Sequence, residues 1–339
     1  MSGCGGKGKP AAPKAGQAAL LGSYDGKTTV GQVLAAGHPN GAVTDSAGNT
    51  YVVNSPSLAE LSATGKGTAV PSLASYYGAT QPEGIVAMPD GSVLFGNGAE
   101  VVRLDPETGE SSVLAGSSDR VRAYGASAPA TATADDVRFT KAVIPVGVTS
   151  AGAVVIADDR AVWSLASGRL TRVGQQPAVP GKDTSFLENG NAVAPDGTTY
   201  LRGTRSSPAS LATVRALSPQ GVATTLTLPA SIPGVSGRPA DLTPTWLAPD
   251  GGDGVYVHAV SDKGNGDYVL HLHGSTATLV ASATPTGDNA PKGEGCDVHS
   301  PVDAEHFPCA LPSTVSYHAG QLVLAGEESY VVKLPVGQG

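Results

Sequence analysis

Asn40, Glu83, Asn189, Thr245 and Ser313 stand at one position of a short segment that recurs six times along the chain, with Val146 at that position in the third copy. Five of these six side chains carry oxygen. One carboxylate and two carboxamides are hard donors, suited to Ca²⁺ or to orienting a polar ligand. A single carboxylate supplies no acid–base pair for catalysis. The same groups would equally bond channel water or cap strand ends.

Other constellations carry narrower chemistry. Cys296 and Cys309 flank the insertion CDVHSPVDAEHFPC. A disulfide across such a loop contributes roughly 3 kcal/mol and suits an exported protein. The stretch also reads Cys296-x₂-His299…His306-x₂-Cys309, four potential zinc ligands in an unfamiliar spacing. His271 and His273 alternate along a strand-like run, so they share a face and could chelate or simply be solvated. Arg202 and Arg205 lie in RGTRSSPAS, where they could meet an anionic ligand or water. Asp262, Asn265 and Asp267 lack the alternating spacing of a calcium loop. Gly-x-Ser-x-Gly, His-Glu-x-x-His, P-loop and dinucleotide fingerprints do not occur.

These residues must be held by the repeat itself. Its copies open at His38, Gln81, Ile144, Leu187, Leu242 and Leu311 and turn at Gly48, Gly91, Gly152, Gly197, Gly251 and Gly320. Each turn separates two apolar runs of strand length, and a second hairpin follows in each complete copy, as in VVRL-DPETG-ESSVL. A unit yielding four strands is a propeller blade, so the sequence predicts an all-β, six-bladed β-propeller of four-stranded antiparallel blades. The last copy lacks its outermost strand after Tyr330–Leu334, whereas GKTTVGQVLAAG (Gly26–Gly37) looks like an outermost strand with no blade before it. Closure of the sixth blade by the N-terminal strand follows, since it removes the open edges. Residues 1–19 read as a flexible linker and 20–339 as the propeller.

Strands alternate in direction within a blade, so the one–two and three–four turns share one face. The two–three loops and blade connections share the other, and they hold the length variation: 116–143, 174–186, 227–241 and 281–310 between blades, 202–211 and 259–267 within them. The innermost strands begin on this loop-rich face, which places the ring at the mouth of a central channel. A net charge of −8 with no Lys/Arg stripe excludes nucleic acid. Aromatics at 5% argue against sugar or base stacking.

The linker Tyr124–Asp158, entered through SSVLAG and leading to IPVGVTSAGAVV, resembles an NHL repeat, and the likeness extends over roughly 26–334. NHL propellers are mostly binding modules, some of them exported sensors, which implies a monomer with a protein or small-molecule partner. More distantly the chain is similar to calcium-dependent lactonases of the gluconolactonase and regucalcin type. ENGNAVAPDG from Glu188 resembles their ligand segment, which implies Asn189 as a metal ligand, Glu83 as its partner and Ca²⁺ in the channel. That alternative makes the chain a metal-dependent hydrolase or lyase. Thr245, Ser313 and Val146 depart from the pattern by supplying no second acid. Ser2-Gly3-Cys4-Gly5-Gly6 resembles the end of a bacterial lipoprotein signal, which implies lipid on Cys4, an extracytoplasmic location and membrane contact only through that anchor.

Overall fold

The Asp-Gly turn of the second blade shows how each hairpin is set. The Gly91 amide donates to the Met88 carbonyl at 3.0 Å with Gly91 at φ +85°, and the Asp90 carboxylate accepts the Ser92 amide at 3.0 Å. A computed structural model describes residues 12–23, 41–54, 57–63, 66–70, 83–118, 128–139, 142–175, 190–203, 213–261, 266–283, 296, 298, 300–326 and 330–337. In it such hairpins build six antiparallel sheets, the blades of a propeller. The innermost strands are Gly41–Thr44, Glu83–Ala87, Val143–Val148, Ala192–Val193, Leu242–Pro249 and Thr314–His318.

Adjacent blades bury their Val, Leu and Ala side chains against each other. Trp163, Leu94, Leu242 and Leu322 are fully buried at such contacts. The Trp163 indole donates to buried Asp158 at 3.3 Å, and the same carboxylate accepts the Ala161 amide at 2.7 Å. Burial pushes the Asp158 carboxyl up, against the pull of these bonds.

The ring closes through the N-terminal strand, as expected, but with a different segment. Gln17–Ser23 pairs antiparallel with Tyr330–Pro335, matching Ala19 to Lys333 and Leu20 to Val332. This closing strand begins within the stretch read as linker. Gly26–Gly37, the segment expected there, lies outside the described residues. Its apolar runs look like a blade edge, but Ala18 of the earlier segment is the side chain buried in the blade-six core, at 1% exposure.

Two blades acquire a fifth, outermost strand from the connection preceding them. Thr131–Thr133 pairs with Arg169–Gln175 in blade three, and Val302–Asp303 pairs with the closing strand in blade six. Each is followed by a buried Ala and Phe, Ala134 and Phe139 in one case and Ala304 and Phe307 in the other.

Candidate functional site

The six innermost strands enclose a central channel of about 240 Å³. Three of them carry β-bulges near its loop-rich mouth, between Glu83 and Val86, Pro145 and Gly147, and Pro244 and Trp246. A bulge redirects the side chain at the extra residue. Here it sends Val146 into the channel lining and Thr245 elsewhere.

The Thr245 hydroxyl lies 2.5 Å from Nδ1 of His258, on the second strand of the same blade, and 3.3 Å from the His258 carbonyl. His258 is 1% exposed, and its Nε2 has no hydrogen-bond partner among the described residues. Burial drives its pKa down to about 4, against a smaller upward pull from the Leu311 backbone. The imidazole is therefore neutral near pH 7, a fixed partner for Thr245 rather than a cation.

Three polar side chains of the channel lining are also engaged. The Ser316 hydroxyl accepts the Thr44 amide at 2.8 Å, joining blades six and one, and the Thr44 and Thr50 hydroxyls are 3.1 Å apart. Asn191 accepts the Arg202 amide at 3.0 Å. The Arg202 guanidinium reaches across to the Pro244 carbonyl at 3.4 Å, which sets it at the mouth between blades four and five. Gly190 brings these two blades together. Its carbonyl accepts the Leu247 amide at 2.8 Å, and a Cβ there would lie 2.5 Å from the Thr245 carbonyl oxygen. Ile85, Val146, Trp246 and Tyr317 contribute the larger side chains of the lining.

Of the residues singled out from sequence, Arg202 bonds at this mouth to the carbonyl of Pro244, the residue before Thr245. Ser313 is half-buried in the bend before the sixth innermost strand. Glu83 opens the second innermost strand, its backbone paired with Gly96. Asn40, Asn189, Arg205 and Cys4 lie outside the described residues. Asn191, His258 and Tyr317 were not anticipated. Only Asn191 carried a signal, two residues beyond Asn189 in the sequence.

A calcium ion of the lactonase kind needs several carboxylate or carbonyl oxygens converging on one point. Among the described residues no carboxylate lines the channel, and no three His, Cys, Asp or Glu are grouped to hold a metal. The described donor set does not fit the ion.

Cys296 and Cys309 form a disulfide with a Cα–Cα distance of 5.9 Å, which removes both thiolates from any zinc site. His306 is instead paired with Asp303 at 2.8 Å, and His299 lies outside the described residues. His271 and His273 sit on the turn face, 6.4 Å apart in parallel planes, and each is bound to a different acid, Asp250 at 2.8 Å and Asp253 at 2.7 Å. Burial acts to raise the Asp250 carboxyl, but bonds from His271 and the Gly252 and Gly254 amides override it and hold the pKa below the ordinary range. The turn face also has a cavity of about 630 Å³ between blades one and two, walled by acids including Asp45, Glu60 and Glu107, with Arg103 held by Asp90 and Ser92.

No family model matches the chain, and no curated protein does. Solved structures do. The gluconolactonase from Xanthomonas campestris matches with TM-score 0.55 at 14% identity, covering 97% of this chain and 95% of that one. The calcium-binding protein regucalcin from Agrobacterium tumefaciens matches with TM-score 0.51 at 13% identity, covering 97% and 96%. A chain of the mitotic checkpoint complex matches with TM-score 0.51 at 12% identity, covering 99% of each. Proteins so different in role match equally well, so the likeness is one of architecture: this chain has the six-bladed propeller fold.

Proposed function

We propose that the chain is an extracytoplasmic binding module, an NHL-like propeller tethered through Cys4, that receives a protein or small-molecule ligand on its loop-rich face. One observation carries this reading. Thr44, Asn191 and Ser316 of the described channel lining are bonded within the protein, beside the large side chains Ile85, Val146, Trp246 and Tyr317 and below the Arg202 guanidinium at the mouth. Such a surface suits recognition, and its described residues offer no acid–base pair. The Cys296–Cys309 disulfide suits an oxidising compartment, and no helix among the described residues is long and apolar enough to cross a membrane.

A small-molecule library screened by thermal shift tests the reading. Ligands stabilise the wild type, and Val146→Arg, which fills the channel, or Arg202→Ala abolishes their effect. Metal-dependent lactone hydrolysis lost in Glu83→Ala would instead favour the hydrolase reading, toward which the gluconolactonase likeness points.

A further inference from the structure

We propose that the Cys296–Cys309 disulfide is a redox-sensitive clasp on ring closure. The closing strand Gln17–Ser23 is held on both edges. Its inner edge pairs with Tyr330–Pro335, and its outer edge with Val302–Asp303, matching Gln17 to Asp303 and Ala18 to Val302. The Ala304 amide adds a bond to the Gly16 carbonyl at 3.0 Å.

A strand of two residues does not hold its own place; its surroundings must. The Asp303 carboxylate caps the following 3₁₀ turn, Ala304–His306, by accepting the Glu305 amide at 3.0 Å. Ser282 of blade five binds the far side of the turn, its hydroxyl donating to the Glu305 carbonyl and its own carbonyl accepting the Phe307 amide at 2.9 Å. Ala304 and Phe307 are buried in one cluster with Ala18 and both cysteines. The disulfide closes this turn into a loop with a sequence separation of 13. Without it, the clasp is part of one open connection from Ala283 to Leu311, and ordering it costs more chain entropy.

Reduction needs two electrons and two protons. A dithiol supplies both through a mixed disulfide, becoming a disulfide itself as Cys296 and Cys309 become thiols. The outer edge of the closing strand then loses its cover, and the N-terminal segment detaches from blade six while the other blades stay folded. The N-terminal closure of the propeller thus answers to redox state.

Peptide-level amide hydrogen exchange of the full chain, before and after reduction with a dithiol, tests the clasp. Intact mass confirms the cleavage. Exchange over 17–23 rises on the order of a hundredfold, exchange over 330–335 follows, and the innermost strands of blades two and three keep their protection. Three results overturn the proposal: unchanged exchange over 17–23 after cleavage, equal acceleration in every blade, or a disulfide that is reduced only when the whole protein unfolds. Oxidised Phe307→Ala is a second check and should already show faster exchange over 17–23. If that variant folds and its closing strand is as protected as in the wild type, the clasp is not what holds it.

Discussion

The 2.5 Å contact between the Thr245 hydroxyl and Nδ1 of His258 turns a residue of the expected channel ring inward. It couples the channel mouth to a neutral histidine buried in blade five. The bulge at Thr245 makes the contact possible, and the burial of His258 keeps the ring uncharged.

This burial has a pH signature. The folded pKa of His258, about 4, lies below the unfolded value of 6.5, so the unfolded chain binds more protons between the two. Stability contributed by the neutral ring is complete above pH 6.5 and declines as pH falls toward 4, by about 3 kcal/mol. Urea unfolding at a series of pH values should show that slope, and His258→Gln should flatten it.

Gly190 should tolerate no side chain. At φ +91°, with a Cβ directed at the Thr245 carbonyl, Gly190→Ala should cost roughly 3 kcal/mol or more. Chemical denaturation measures the loss. A change under 1 kcal/mol would show that blades four and five can separate freely here.

Removal of residues 1–23 takes away the closing strand and exposes the edge of Tyr330–Pro335. We expect a loss of roughly 4 kcal/mol, from ladder bonds and the buried Ala18 and its apolar neighbours. Thermal unfolding identical to the full chain would contradict closure by this segment.

The architecture was readable because each blade repeats the same local instruction, an apolar run, a Gly turn and a second run. Cys296 and Cys309 were equally legible, since two cysteines bounding one insertion have few partners. The choice between Gln17–Ser23 and Gly26–Gly37 was not legible. Either run has strand composition, and the outcome depends on whether Ala18 fits a core built by Phe307 and Leu311, far along the chain. The Thr245 contact was hidden for a related reason. A bulge shifts register by one residue, and a one-residue shift exchanges the two faces of a strand. His258 gave no sign of its role, because its partner is set by that shift.

Calorimetric titration of Ca²⁺ into the full chain tests the central claim most directly. A module whose described channel side chains are already engaged within the protein should give no saturable binding at micromolar ion concentrations. A one-to-one site of micromolar affinity, abolished by Glu83→Ala, would contradict it and place metal chemistry at the mouth of the channel.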